Sequence, residues 1–274
     1  MEAAAKEHFY AAIERAELIE EPFPHIYVRD LFPANFYNRL LDNLPPIDKY
    51  TQYSEQYSAR YSLDITDSSV RKLGNNAPFW TGFESWLNSG DMLNAMFRKF
   101  GHRMKYCHAL REQFLNQATT PEGVVIGPQT FLCRDFKNFV LQPHTDAGAK
   151  LVVGVFYLSK DDSLVEFGTS LYKPKDPALR EFYKSKRFPF DQFELVKTFE
   201  NRPNSFAAFL KTDNSFHGVE ERPHVDIGRD VMFWIPRIGK IPASARVGNA
   251  EEAGAGASVT VPASIFTPEK ELVG

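Results

Sequence analysis

The chain of 274 residues has little cysteine, no long apolar run and no marked excess of charge of either sign. Its two cysteines, Cys107 and Cys133, lack the spacing of a metal site or a disulfide framework, so a reduced protein is expected. No apolar segment approaches the length of a membrane span, and no apolar signal core follows Met1. A net charge of −3 provides no basic field for nucleic acid. These absences predict a soluble, cytoplasmic protein without a nucleic-acid or membrane partner.

Helical patterns dominate the first 120 residues. Apolar residues at helical spacing, interrupted by prolines, predict helices at about 2–20, 34–43, 78–100 and 101–116, with a short strand at 25–28. Residues 50–67 form a polar stretch rich in Tyr and Ser, which predicts a long loop. Such a loop often serves as a lid or binding segment, and a surface loop with its tyrosines packed down is equally compatible.

From residue 123 the apolar pattern becomes strand-like. Strands are predicted at 124–126, 129–136, 139–143, 151–158, about 164–172, 193–199, 205–210, 217–220 and 231–236. A charged insertion at 174–191, with a short helix at 177–185, is a second lid candidate. The pattern predicts an α+β, mainly β protein with a jelly-roll core, organised as one domain over residues 1–274. Residues 1–120 form helical support, 121–238 the jelly roll, and 239–274 a loosely packed tail.

One pattern in the strand-rich half indicates chemistry. His144 and Asp146 are two residues apart beside an apolar strand, and residues i and i+2 of a strand share a face. His217, at the head of a later strand, can supply a third ligand. Two imidazoles and one carboxylate suit non-heme Fe(II), because they leave the opposite face of the metal open. A His-x-Asp triplet also arises by chance, but the order of these parts, followed by Arg229, favours a metal site within the jelly-roll core.

These segments resemble the double-stranded β-helix core of Fe(II)/2-oxoglutarate-dependent oxygenases, in particular the prolyl-hydroxylase-like and phytanoyl-hydroxylase-like branches. The matching pieces, within about residues 124–238, are 143–146, 155–158, 168–172, 203–209, 216–219 and Arg229. The resemblance implies Fe(II) held by His144, Asp146 and His217, with 2-oxoglutarate as co-substrate and O2 as oxidant. Related halogenases lack the carboxylate, so Asp146 favours hydroxylation, with desaturation or ring formation also open to the same site.

The distal carboxylate of 2-oxoglutarate requires a buried cation, and the planar fork of Arg suits it. By resemblance Arg229 is the anchor, with Arg222 as its rival and a surface pair with a nearby Asp as the alternative. The hydroxyl residue that many relatives carry two positions later is Val231 here.

Two further cations are candidates for binding the co-substrate or an anionic group of the substrate. Arg134 lies on the strand that leads to His144, and Lys150 follows the His-x-Asp triplet. For Arg134, a surface pair with Asp135 is equally compatible with the sequence.

The sequence therefore predicts an Fe(II)- and 2-oxoglutarate-dependent dioxygenase. It would hydroxylate an unactivated C–H bond of a small molecule, a metabolite or natural product, and release succinate and CO2, with ascorbate as the reductant in assays. The alternatives are a peptidyl, prolyl-type hydroxylase and a non-catalytic jelly-roll binding module. A complete ligand set with a trailing Arg argues against the module, because polar groups inside an apolar sheet cost free energy.

Overall fold

A computed structural model describes residues 2–107, 125–182, 184–221 and 228–239. Three predictions lie outside these residues: the end of the helix at 101–116, the rival anchor Arg222, and the tail after residue 239. Within the described part of the chain, no helix has both the length and the apolar content needed to cross a bilayer.

Two antiparallel sheets form the core of the described chain. A seven-stranded sheet has the order β1-β9-β6-β11-β4-β3-β2, and a four-stranded sheet has the order β5-β10-β7-β8. The strands are β1 His25–Val28, β2 Thr51–Gln52, β3 Arg60–Asp64, β4 Val125–Asp135, β5 Leu141–His144, β6 Val152–Tyr157, β7 Ser170–Pro174, β8 Phe193–Thr198, β9 Ser205–Leu210, β10 His217–Val219 and β11 Arg229–Gly239. This arrangement confirms the predicted mainly β, jelly-roll type of fold.

Strand alternation divides the large sheet into a helix-covered face and a face toward the small sheet. Side chains such as Phe156, Phe206 and Trp234 belong to the helical core, whereas their neighbours Val155 and Val231 pack with the small sheet. The helices are α1 Ala3–Arg15, α2 Ala34–Asp42, α3 Asp67–Val70, α4 Ala77–Leu87 and α5 Gly90–Phe100. The helical layer thus supports the large sheet and leaves its opposite face for a site.

Several predicted elements differ from the structure in extent. The first helix ends at Arg15 rather than near residue 20, and the predicted helix at 78–100 is two helices separated at 88–89. The strands predicted at 124–126 and 129–136 are one strand, β4. Pro128 does not break this strand. Its partner in β11 is Pro236, so at this pair the ladder needs no N–H donor from either residue.

Two predictions for the connecting segments were wrong. The stretch at 50–67 is not only a loop, because it contains β2 and β3, and β3 pairs with β4. None of the described residues at 177–185 in the insertion at 174–191 is helical; instead Lys184 forms an antiparallel bridge with Ala147, just after β5. Contacts with the rest of the fold override the local helical preference of this segment.

Candidate metal centre

Pairing of β5 with β10 brings three predicted ligands together. His144 and His217 are direct cross-strand partners, and their ring centroids lie 4.4 Å apart. Asp146 follows β5 by two residues and turns its carboxylate toward both rings. One potential ligand atom from each of the three side chains lies within 4.8 Å of the others, and all three side chains are buried. The predicted cluster is therefore present as a geometric unit.

Hydrogen bonds to the backbone orient the two imidazole rings. Nδ1 of His144 lies 2.9 Å from the carbonyl oxygen of Gln142, and Nδ1 of His217 lies 3.0 Å from that of Ser215. Since a carbonyl oxygen only accepts, Nδ1 is the donor in both rings, and Nε2 is the nitrogen left to bind a metal. Metal-binding histidines are commonly held in this way. Burial, followed by the proximity of His217, lowers the pKa of His144 well below its usual value, so the His144 imidazole is neutral and able to bind a metal.

The Asp146 carboxylate completes a set of electron-pair donors. One oxygen accepts a hydrogen bond from Lys150, whereas Oδ2 has no hydrogen-bond partner and lies 3.3 Å from Nε2 of His217. Although burial opposes the charged form, Lys150 and then His217 hold the pKa of Asp146 well below its usual value. A divalent cation between these two atoms would be bound by both of them. The donor set therefore fits a divalent metal such as Fe(II).

A second charged group lies on three neighbouring strands of the large sheet. Asp135 of β4 is in register with Arg229 of β11 and with Arg60 of β3. Arg60 donates to the two carboxylate oxygens at 2.5 and 2.8 Å, and Arg229 donates to Oδ2 at 2.6 and 3.1 Å. Arg229 also donates to the carbonyl oxygen of Phe167. Two guanidinium groups around one carboxylate leave a net charge of about +1 in a buried position.

Burial and charge act in opposite directions on Asp135. Burial disfavours its ionised form, but Arg60 and Arg229 outweigh this effect and lower the pKa of Asp135 below its usual value. The carboxylate is therefore ionised at neutral pH. Arg60, Asp135 and Arg229 are 7, 4 and 4% exposed, so water screens their charges weakly.

A cavity of about 350 Å³ between the two sheets connects the metal ligands with this cationic group. Its lining includes His144, Asp146 and His217 at one place and Arg60 and Arg229 at another. Apolar side chains line much of the remaining wall: Phe131, Phe139, Leu141, Val153, Val155, Phe209, Val219, Phe233 and Ile235. A dianion with one metal-binding end and one carboxylate end is the kind of ligand that this combination suits.

The structure separates the three cations predicted to bind a co-substrate. Arg229 lines the cavity, and so does Lys150, whose ammonium group bonds to Asp146. Arg134 does not line this cavity, because alternation along β4 directs it away from the face that carries Asp135. It donates to Asp230 at 2.7 and 3.0 Å, rather than to the neighbouring Asp135, and faces a different surface hollow. The prediction that Arg134 reaches the metal site is therefore corrected.

Sequence reasoning did not identify Arg60, Asp135 or Arg187 as site residues. Arg60 lies in a segment predicted to be a loop, and only its long-range pairing with β4 carries it to the cavity. Asp135 was considered only as a surface partner. Arg187 lies in the insertion at 174–191, whose path depends on contacts distant in the sequence.

No protein-family model and no curated protein matches the chain in sequence. Several solved structures are similar to it at low identity. The non-heme alpha-ketoglutarate-dependent epimerase SnoN from nogalamycin biosynthesis is 11% identical, with a TM-score of 0.47 over 96% of this chain and 97% of that one. A prolyl-4-hydroxylase of Pseudomonas putida is 13% identical, with a TM-score of 0.48 over 84% and 99%. A Burkholderia pseudomallei oxidoreductase described as 2OG-Fe(II) oxygenase family is 9% identical, with a TM-score of 0.42 over 86% and 91%.

Proposed function

We propose that the protein is an Fe(II)- and 2-oxoglutarate-dependent dioxygenase that hydroxylates a C–H bond of a small molecule. One observation carries the proposal: potential ligand atoms of His144, Asp146 and His217 converge within 4.8 Å of one another in a buried cavity, with Nε2 of His217 3.3 Å from Oδ2 of Asp146. A buried carboxylate is stable when it is paired with a cation or coordinates a metal. Two histidines and one carboxylate are the ligand set that suits Fe(II) with open positions for other ligands.

Each part of the site has a role in this proposal. His144, Asp146 and His217 would hold the iron, and the carbonyl groups of Gln142 and Ser215 fix the orientation of the two rings. When bound, iron and 2-oxoglutarate supply the oxidation of a C–H bond by O2, coupled to formation of succinate and CO2. Further along the cavity, a guanidinium pair would bind the distal carboxylate of 2-oxoglutarate.

The guanidinium pair of Arg60 and Arg229 carries one more positive charge than Asp135 neutralises. A carboxylate that reaches this group therefore meets a charge that is already desolvated and oriented. Asp135 holds both side chains in place, so their orientation costs little when the co-substrate binds. The apolar walls of the cavity exclude water from the reacting C–H bond.

The size of the cavity supports a small-molecule substrate. Its volume of about 350 Å³ lies within the range of pockets that enclose small ligands. A peptidyl substrate would leave most of its chain outside such a cavity, so the prolyl-type activity stays an alternative.

The test is succinate release from 2-oxoglutarate with Fe(II), ascorbate and O2. Uncoupled turnover without substrate is expected for the wild-type protein. We expect none for Asp146→Ala, which lacks the carboxylate ligand, and a higher KM for 2-oxoglutarate in Arg229→Ala. The variant Arg134→Gln, which removes a neighbouring Arg outside the cavity, serves as the control and should behave as wild type. Absence of succinate together with absence of metal binding would overturn the proposal in favour of a binding module.

A further inference from the structure

Charged side chains that line the cavity are mostly cationic. The described lining contains five basic side chains, Arg60, Lys150, Arg187, Arg229 and Arg237, against two acidic ones, Asp64 and Asp146. A ferrous ion and a 2-oxoglutarate dianion would together add no net charge. Even when Asp135, behind Arg60 and Arg229, is counted, an excess of positive charge would therefore persist in the loaded site proposed above.

Three of the five cations already contact a carboxylate. Arg60 and Arg229 share Asp135, and Lys150 bonds to Asp146. The other two contact neutral groups: Arg237 donates to the Gln129 side chain at 3.0 Å in an exposed contact, whereas Arg187 has its contacts beside the metal ligands. The contacts of Arg187 in the described part of the chain are all to neutral groups. Its Nε donates to the Tyr57 hydroxyl at 2.7 Å, and its Nη1 donates to the carbonyl oxygen and to Oγ of Ser185, both at 2.9 Å. These three bonds use Nε and Nη1, and no residue in the described part of the chain accepts a hydrogen bond from Nη2.

The backbone places Arg187 beside the metal ligands. Its segment runs antiparallel to the end of β5: Lys184 bridges Ala147, and the amide of Phe188 donates to the carbonyl oxygen of Pro143 at 3.0 Å. Arg187 lies between these two contacts, opposite the stretch that carries His144 and Asp146. It lines the same cavity as both.

Further bonds fix this segment to the site. Thr145, between the two ligands of the His-x-Asp triplet, donates from its hydroxyl to the carbonyl oxygen of Glu181 at 2.7 Å. The buried ammonium group of Lys211 donates to the same oxygen at 3.1 Å. The position of Arg187 therefore depends on the ligand strand itself rather than on a free surface loop.

The Tyr57 hydroxyl extends the same recognition element. Because it accepts a hydrogen bond from Arg187, its own proton is directed to another acceptor. A guanidinium with a neighbouring O–H donor binds a carboxylate or a phosphate through several charge-assisted hydrogen bonds.

Resting on the proposed oxygenase function, we propose that the substrate carries a carboxylate or phosphate group and that Arg187, with Tyr57, binds it. The anion lies near His144, so it holds the substrate's C–H bond beside the metal. A neutral substrate would leave the guanidinium partly desolvated without a counter-charge, at a cost in free energy.

The experiment measures anion binding to the protein loaded with Ni(II) and 2-oxoglutarate, which occupy the metal site and the Arg229 end. Sulfate and acetate are titrated separately at constant ionic strength, by calorimetry, into the wild type, Arg187→Gln and Lys186→Gln. The control Lys186→Gln removes an equal charge from an exposed neighbour that does not line the cavity. We expect Arg187→Gln to weaken binding at least fivefold and Lys186→Gln to leave it unchanged. Tighter binding of sulfate indicates a phosphate-type substrate, and tighter binding of acetate a carboxylate.

Two results would overturn this inference: no anion binding to the loaded wild type, or equal affinity in Arg187→Gln. Affinities for Ni(II) and 2-oxoglutarate, measured in the same samples, separate this failure from failure of the proposed function. If Ni(II) and 2-oxoglutarate bind normally and the affinity for the anion does not depend on Arg187, only the substrate assignment is wrong. If neither ligand binds, the oxygenase proposal itself is wrong.

Discussion

Asp135 is the sole carboxylate that we find bonded to both Arg60 and Arg229 in the described chain, so replacing it tests the charge balance of the site. Asp135→Asn keeps the shape of the side chain and removes the charge. Removal of one partner from a buried ion pair costs about 3 to 5 kcal/mol, because the remaining charge is left without compensation. For a chain of this size we expect the melting temperature to fall by roughly 6 to 20 °C. Thermal unfolding followed by circular dichroism measures the change.

The matched control is Asp230→Asn. Asp230 makes a similar two-bond contact with Arg134, but these side chains are more exposed, at 14 and 21%, so water screens the remaining charge more strongly than at Asp135. We expect a loss of about 1 kcal/mol or less for this pair. Saturating 2-oxoglutarate should raise the melting temperature of Asp135→Asn more than that of the wild type, because its carboxylate replaces the lost charge. Equal losses of stability in Asp135→Asn and Asp230→Asn would refute the conclusion that the charge of Asp135 compensates two buried cations.

Three further predictions follow from particular contacts. Arg229→Gln should raise the KM for 2-oxoglutarate about tenfold or more, the value of one charge-assisted hydrogen bond, while Arg134→Gln leaves it unchanged in the succinate assay. Gly218→Ala should lower stability by about 1 to 3 kcal/mol in urea titrations, because a Cβ there would overlap a backbone carbonyl of β5. The control Gly127→Ala, with open space around the new methyl group, should have little effect. Burial lowers the pKa of Lys211 in the folded protein to about 8. Between pH 8 and about 10.4 the unfolded chain therefore binds more protons than the folded protein, and the free energy of unfolding rises with pH. Thermal melts across this range should show that rise, up to about 3 kcal/mol, in the wild type and not in Lys211→Met.

The metal ligands could be predicted from the sequence because their relationship is local. His144 and Asp146 share a face through the period of a strand, and no knowledge of the partner strand is required. His217 needed only the assumption that a later strand returns to the same sheet, and the pairing of β10 with β5 confirms that relationship. The jelly-roll type of fold followed from the change of apolar period near residue 123.

The cationic group could not be predicted, because it depends on strand phase and on pairing. Apolar residues flank both Arg134 and Asp135, so the pattern does not indicate which of the two points inward. Arg60 reaches the cavity only because β3 pairs with β4. Tyr61 and Leu63 alternate with polar residues in β3, but this pattern does not identify the partner strand. The path of Arg187 depends on bonds from Thr145 and Lys211, which overrule the helical preference of the insertion.

Anaerobic Fe(II) binding tests the central claim most directly. We expect one bound Fe(II) per chain for the wild type and none for His144→Ala. Bound iron is measured directly, so the result does not depend on turnover. His25→Gln is the matched control, since His25 is also buried, its Nδ1 also contacts a backbone carbonyl at 2.8 Å, and its Nε2 lacks a partner, yet it lies outside the ligand cluster. Full iron binding by His25→Gln and loss in His144→Ala would support the metal centre. Equal iron content in wild type and His144→Ala would contradict it.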